Sequence, residues 1–464
     1  MPRLEKTMFR EYDIRGREGA TELSEESVYH IARGFSAMLR ARGVTDAIVG
    51  HDARGTSKAF HKSALRGLIE SGISVADIGT VTTPMSYLAQ FHLKIRGLFM
   101  VTASHNPVGW NGVKLGTDFA KTLLPAEIEE LYGIICDERY ANGKGSVREE
   151  NITEAYFADL LSRTSLKRPL KVLLNTGNGT AGLFAPELLR RANCEVVERF
   201  TNIDPAYPNY TPNPDGTAMM EDTGRQTVEH GCDIGIAFDG DGDRLGVTDE
   251  KGAIVWPDRY LILLSRLVLA KKPGAKIVFD VKVSEALPED IAAHGGTPVM
   301  WKTGHSYIKA KLAEEKAALA GEMSGHVFFA DDYYGFDDAF FAALKLLEFV
   351  SAEKKSVSAL IAETPYYVST PTIQAKTTEA DKYRIAEELS KEFASEGYRM
   401  VTVSGARVYM EDGWGLVRAS SNTPTLVLRF EAKTEAGLAK IRAVFERKLS
   451  AHGIPPSLWD SSGH

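Results

Sequence analysis

Four short stretches of the chain concentrate residues whose types and spacing could do chemistry. The first is Thr102-Ala103-Ser104-His105-Asn106-Pro107. It follows the apolar run Gly97 to Val101, which reads as a buried strand of a parallel sheet, and such sheets place ligands at the carboxyl ends of their strands. Asn106-Pro107 and the glycines at 109 and 112 turn the backbone sharply, so the Ser104 hydroxyl is expected to be accessible and could serve as a nucleophile. The plain alternative is a serine that caps a turn. The second stretch is Asp239-Gly240-Asp241-Gly242-Asp243-Arg244. In an extended backbone its three carboxylates would point to one side, with glycines that allow close approach to a small ion, which describes a site for a hard cation. An EF-hand also opens with alternating acids, and Glu250 would stand at its twelfth position. Its sixth position requires glycine, however, where this chain has Arg244, and apolar strands flank the loop. Carboxylates with room left for a phosphate oxygen suit Mg²⁺ better than a closed Ca²⁺ cage. The third stretch offers Glu322, Ser324 and His326, an acceptor, a hydroxyl and a switchable donor able to read vicinal hydroxyls, or else a cap at the start of a helix. The fourth sets Arg418 beside Ser420, Ser421, Asn422 and Thr423, a planar guanidinium fork among small donors that could cradle a phosphate; alone, such a run is a loop.

The elements that must position these loops follow a pattern that recurs three times. Strand, helix, strand and a further strand are expected at 47–50, 57–71, 74–78 and 97–101, the last leading into the Ser104 loop. The second copy runs through 171–174, 182–192, 195–200 and 233–238 into the aspartate loop. The third runs through 276–279, 284–294, 297–301 and 318–320 into the Glu322 loop. A helix precedes the first copy over 24–42, with Val28, Ile31, Phe35, Met38 and Leu39 on one face. After Pro371 the order changes: helices at 380–393 and 435–452 and strands near 399–403, 415–417 and 425–430 indicate a smaller α+β unit. The expected architecture is α/β: three similar domains with mixed, mostly parallel sheets, spanning 1–150, 151–252 and 253–367, plus a C-terminal α+β domain spanning 368–464. Glycine- and proline-rich turns mark the joints.

Composition narrows the function classes. A chain of 464 residues with 44% hydrophobic residues has core material for several domains. A net charge of -7 with interspersed signs offers no basic stripe for nucleic acid, and the longest apolar stretch, from Tyr260 to Ala270, is broken by Ser265 and Arg266, so neither nucleic acid nor membrane is expected as a partner. Cys136, Cys194 and Cys232 lack metal-ligand spacing and are odd in number, which argues against a disulfide framework. With no signal-peptide core at the N-terminus, a reducing cytoplasm fits.

The ordered set TASHNP, DGDGDR, GEMSGH and RASSNTP resembles the α-D-phosphohexomutase superfamily, and specifically its bacterial phosphomannomutase/phosphoglucomutase branch, over essentially the whole chain from Tyr12-Asp13-Ile14-Arg15-Gly16 onward. The resemblance implies four domains around one central cleft. It implies that Ser104 carries a phosphoryl group, and that Asp239, Asp241 and Asp243 hold Mg²⁺ together with an oxygen of the Ser104 phosphate. It also implies roles for Tyr12, Arg15, Lys114, Arg244, Lys282 and His305. The fourth loop departs from the branch, with Ser421 and Asn422 where Asn-Thr is usual.

Resemblance and residues together imply a mutase acting on hexose 1- and 6-phosphates through a phosphoserine and a bound hexose 1,6-bisphosphate, which also serves as activator. Arg244 would share charge on the transferring group, and Lys114, His105 and His326 are candidates for the proton acceptor. Phosphosugars are then the expected partners, with the protein a monomer or weak dimer. The rival readings are a phosphoglucosamine mutase, which usually has Gln where this chain has Met323, a phosphoserine-type sugar phosphatase and a non-catalytic sugar-phosphate sensor.

Overall fold

A computed structural model describes residues 4–421 and 423–460. The chain gathers into two compact units. One takes the chain up to Pro214, with Ala218–Val255 and Gly325–Ser358; the other takes Asp215–Thr217, Trp256–Ser324 and the chain from Ala359 on.

In the first unit the strand Asp46–His51 runs parallel to Ser74–Thr80 on one side and to Gly97–Val101 on the other. The strand Leu170–Asn175 is flanked in the same way by Cys194–Arg199 and Ile234–Phe238. In the second unit Lys276–Asp280 lies between Thr297–Trp301 and Leu319–Gly321, again parallel. The three copies read from the sequence therefore share one topology, the first strand central and the later two on either side. Gly97–Val101 and Ile234–Phe238 are buried at every position, which is why they show as unbroken apolar runs and not as alternating ones.

The sheets are mixed because each of the first two copies adds an antiparallel strand that periodicity did not reveal. Trp110–Asp118 returns alongside Gly97–Val101, pairing Val113 with Val101, and Leu245–Thr248 returns alongside Ile234–Phe238, pairing Leu245 with Phe238. The serine and aspartate loops are thus the links of antiparallel pairs. The helix Glu25–Ala41 forms as expected: Ser24 caps it, accepting from the Ser27 N–H, and Val28, Ile31, Phe35, Met38 and Leu39 are buried. The helix expected over 182–192 is shorter, Ala185–Arg191, preceded by a 3₁₀ turn at Thr180–Leu183.

The C-terminal part of the second unit is an antiparallel sheet ordered Arg399–Val401, Ala406–Met410, Gly413–Ala419, Thr425–Ala432 and Ile373–Lys376. The strands at 406–410 and 373–376 were not expected from the sequence. The helices Glu379–Ser395 and Glu435–Ala451 contribute Leu389, Phe393 and Phe445 to a core shared with Phe430. Buried Arg407 ties this sheet to the preceding segment, donating to the Val281 and Val283 carbonyls at 2.9 and 2.7 Å and to Glu285 Oε2 at 2.6 Å. Among the described residues no helix is long and apolar enough to cross a membrane.

Candidate active site

The serine loop of the first unit is built from its backbone. Ser104 adopts a left-handed conformation, φ 51°, which costs a residue with a β-carbon roughly 1–2 kcal/mol and so must be held by its surroundings. Its N–H donates to Thr102 Oγ1 at 2.9 Å, and Arg15 grips the loop from outside, donating to the Ala103 carbonyl and, at 2.8 Å, to Asn106 Oδ1, while its Nε pairs with Asp13 at 2.9 Å. The hydroxyl donates to Asp239 Oδ2 at 2.6 Å and lies 3.1 Å from His105 Nδ1. The expectation of an accessible hydroxyl is corrected: Ser104 is 1% exposed. The aspartate loop lies directly against it, and a β-carbon at Gly240 would sit 2.4 Å from the Ser104 carbonyl oxygen, so only glycine lets the two loops meet.

The aspartate loop also differs from its expected shape. It is a turn, not extended backbone: the Gly242 N–H donates to the Asp239 carbonyl, and Gly242 has φ 77°. The carboxylates converge because the chain wraps around them. Their ligand oxygens lie within 4.8 Å of one another, and all three residues are fully buried. Asp239 Oδ1 accepts from the Asp243 and Arg244 N–H groups at 3.0 and 3.2 Å. Asp241 Oδ2 accepts from Thr83 at 2.6 Å, Thr102 at 3.1 Å and Lys114 at 2.9 Å, while its Oδ1 is buried with no hydrogen-bond partner among the described residues. An orphaned carboxylate oxygen inside a cluster of three acids is costly unless a cation completes it, and an all-oxygen donor set is the kind hard divalent cations take.

Charge in this cluster is unevenly balanced. Lys114 reaches both Asp241 and Asp243; burial alone would lower its pKa, but the two carboxylates prevail and raise it, so the group stands as an ammonium. Asp243 is held well below the usual carboxylate range, because Lys114 and then His326 outweigh burial. Asp241 is lowered too, Lys114 and the Thr83 hydroxyl overcoming burial and the Asp243 charge. The deficit falls on Asp239, which burial first, then Asp241 and Asp243, push well above that range. His326 Nε2 lies 3.4 Å from Asp243 Oδ1 and 3.9 Å from Asp337 Oδ2, so its ring is engaged with the aspartate loop. Arg244 follows the third aspartate and keeps a buried Nε with no hydrogen-bond partner among the described residues. Tyr12 sits in the bend before the strand Ile14–Arg17.

In the second unit Asp280 organises the residues read from the third loop. It accepts from the Met323 N–H at 3.2 Å and the Thr303 hydroxyl at 2.9 Å, and Lys282 Nζ is 3.8 Å away. Glu322 Oε1 accepts from the N–H of Gly304, the residue just before the helix His305–Glu315, which brings Glu322 next to His305; the segment does not itself open a helix, since the strand Val327–Phe329 follows it. Ser324 lies in the turn that follows. Arg418 is the penultimate residue of the strand Gly413–Ala419, which forms a hairpin with Thr425–Ala432; it is 8% exposed, and it donates to Ser404 Oγ at 3.2 Å and to Ser421 Oγ at 3.4 Å. Ser420 Oγ accepts from the Thr423 N–H at 3.3 Å and its hydroxyl at 2.9 Å. Asn422 lies outside the described residues.

Sequence reasoning missed Thr83, Thr102 as a ligand of Asp241, Asp337 and Arg54. Arg54 had a signal: His51-Asp52-Ala53-Arg54 is a polar loop at the carboxyl end of the central strand, the kind of place already used to find Ser104. The threonines had none, since a hydroxyl that buttresses a carboxylate is indistinguishable in sequence from one that starts a helix.

A serine oxygen against a buried triad of carboxylates, with an ammonium and a guanidinium at hand, is equipped for metal-assisted phosphoryl transfer. Comparison with known proteins places that chemistry in a family. The models for phosphoglucomutase/phosphomannomutase α/β/α domains I, II and III match residues 6–142, 153–252 and 256–367, and that for the C-terminal domain matches 373–448. Relatives include the phosphomannomutase/phosphoglucomutase of Pseudomonas syringae, 42% identical over 97% of this chain and 96% of its own, and the phosphoglucomutase of Neisseria gonorrhoeae, 39% identical over 99% and 100%. The crystal structure of a phosphoglucomutase/phosphomannomutase family protein from Burkholderia thailandensis superposes with a TM-score of 0.90 at 38% identity, covering 97% of this chain and 98% of that one. The chain belongs to the phosphoglucomutase/phosphomannomutase family of α-D-phosphohexomutases and is an isomerase of the mutase class.

Proposed function

We propose that the chain interconverts hexose 1-phosphates and hexose 6-phosphates, of mannose and glucose, through a phosphoserine at Ser104 and a hexose 1,6-bisphosphate. The observation that carries this reading is the Ser104 hydroxyl, 2.6 Å from Asp239 within a triad whose Asp241 Oδ1 lacks a hydrogen-bond partner among the described residues. In the first half-reaction the phosphoserine P–Oγ bond breaks as a bond forms from phosphorus to a sugar hydroxyl, whose proton passes to a base. In the second, Ser104 Oγ bonds to the other phosphorus as that phosphorus's bond to the sugar oxygen breaks, and the sugar oxygen takes the proton back from the base. Asp239, Asp241 and Asp243 would hold Mg²⁺, which supplies charge neutralisation on the transferring group when bound. Arg244 adds a guanidinium to the same charge. Lys114, committed as an ammonium to Asp241 and Asp243, serves as a charge donor, which leaves proton acceptance to the imidazoles of His105, 3.1 Å from Ser104 Oγ, and His326. Glu322, Ser324, Lys282 and His305 read the sugar, Arg15 holds the serine loop and Tyr12 is assigned beside it to the substrate, and the hairpin tip of Arg418, Ser420, Ser421, Asn422 and Thr423 holds the phosphate that is not reacting.

Side-by-side turnover of mannose, glucose and glucosamine 1-phosphates tests the substrate class. Fast interconversion of the first two is expected, since Met323 presents its sulfur, 3.0 Å from Arg429 Nη1, where the glucosamine enzymes usually carry Gln. Faster turnover of the amino sugar, or release of inorganic phosphate as the main product, would overturn the assignment.

The hairpin tip makes a separate prediction. Because the phosphoryl group leaves one end of the hexose in one half-reaction and the other end in the next, the clamp must serve both orientations. Arg418→Ala removes charge-assisted hydrogen bonds of roughly 1.5 to 3 kcal/mol, about ten- to a hundredfold in affinity. KM should rise for the 1-phosphate and the 6-phosphate alike, and free bisphosphate should accumulate. A rise confined to one substrate would show that this loop is not a shared clamp.

A further inference from the structure

Arg54 takes no part in the steps above, yet it is 5% exposed and fills the inside of the loop that carries Ser104. Its Nη2 donates to the carbonyls of Ser104 at 2.6 Å and Asn106 at 2.5 Å, and its Nη1 donates to those of Pro107 and Trp110, both at 3.1 Å. These oxygens point inward to one place, an arrangement that only a forked cation with several donors can satisfy; an ammonium on a flexible stem cannot span it. The guanidinium is itself fixed. Asp52 Oδ2 lies 3.4 Å from Arg54 Nε, Asp52 Oδ1 accepts from the Arg54 N–H at 3.1 Å and the Ser57 hydroxyl at 2.5 Å, and the Tyr207 ring is 5.3 Å from the guanidinium carbon. Ser104, whose carbonyl Arg54 holds, is a non-glycine loop residue in the left-handed conformation.

We propose that Arg54 is a positioning residue for phosphoryl transfer: it fixes the left-handed backbone at Ser104 so that Oγ faces Asp239 in both half-reactions. This rests on Ser104 being the phosphoryl carrier. The flanking strands do not depend on Arg54, because Gly97–Val101 and Trp110–Asp118 are joined by their own ladder from Leu98–Gly116 to Val101–Val113. Its loss should therefore loosen the loop and leave the sheet. Near-attack geometry is sensitive enough that a displacement of the order of 1 Å costs about a hundredfold in rate.

The test compares wild type with Arg54→Ala, Arg54→Lys and Asp52→Asn. Readouts are kcat and KM in both directions, phosphate on Ser104 by intact mass after incubation with glucose 1,6-bisphosphate, and hydrogen exchange of the 102–112 segment against the rest of the chain. For Arg54→Ala and Arg54→Lys, kcat should fall about a hundredfold in both directions with KM within about twofold, and exchange should quicken in 102–112 alone. Asp52→Asn, which keeps the shape and removes the countercharge, should show a smaller loss of the same kind and covers the case in which the Arg54 variants fail to fold. Wild-type kcat in the variants, rescue by lysine, or a loss that only tracks the unfolded fraction would overturn the proposal while leaving a phosphorylated wild-type Ser104 untouched. Absence of phosphate from wild-type Ser104 would instead overturn the carrier reading, and this one with it.

Discussion

Ser104→Ala is expected to lower steady-state turnover at least about a hundredfold while leaving the chain folded, because the proposed covalent carrier is gone and water or a second sugar cannot replace it in the same geometry. The fold should survive. Alanine meets the same left-handed backbone that serine already occupies, and Asp239 keeps the N–H groups of Asp243 and Arg244 when it loses the hydroxyl. Removing a hydroxyl that lowers the Asp239 pKa leaves that carboxyl still more inclined to hold a proton, so the lost donor is partly offset. The measurements are coupled turnover from glucose 1-phosphate, melting temperature, and intact mass after mixing with bisphosphate, where the variant should take up no phosphate. A variant retaining more than about a hundredth of wild-type turnover, or one phosphorylated elsewhere to the same extent, would remove Ser104 from the mechanism.

Chelation of divalent cations, and separately Asp241→Asn, should each reduce turnover by about two to three orders of magnitude, the scale of losing a preorganised electrostatic group at developing charge. Readded Mg²⁺ should restore the chelated enzyme and not the variant. Binding can be read without activity: a cation that binds only the native chain at a hundred times its Kd adds about 2.7 kcal/mol of stability, so Mg²⁺ should raise the melting temperature of wild type and leave Asp241→Asn unmoved. The sign with pH follows from Asp239. Its raised pKa means the folded chain retains a proton that the unfolded chain has released, and without cation this favours the fold less as pH rises. Cation binding displaces that proton, so the Mg²⁺-induced rise in melting temperature should grow with pH. Full activity in chelator, or a shift identical in wild type and variant, would show that the triad is not the cation site.

Much of this was legible in the residues. Uninterrupted apolar runs marked the buried strands Gly97–Val101 and Ile234–Phe238, because a strand covered on both faces has no polar face to alternate with. The helix Glu25–Ala41 was legible for the opposite reason: one face meets water, and the 3.6-residue period shows. The return strands Trp110–Asp118 and Leu245–Thr248 were not, since glycines, a lysine and polar residues interrupt their pattern. What holds them in place is pairing with a neighbour distant in sequence and not their own propensity.

The sequence by itself determined which groups are available: a serine, three aspartates and an arginine in loops at strand ends, which is enough for the class of chemistry because motifs fix residue types and local spacing; Lys114, inside a strand, entered only through the family resemblance. Only the tertiary structure decided how those groups meet. It buried Ser104 against Asp239 across 135 residues of chain, committed Lys114 to Asp241 and Asp243, turned His326 toward Asp243, and filled the serine loop with Arg54. Each of these is a contact between segments far apart in sequence, whose geometry is set by strand register and close packing, and none is written in the local pattern of either partner.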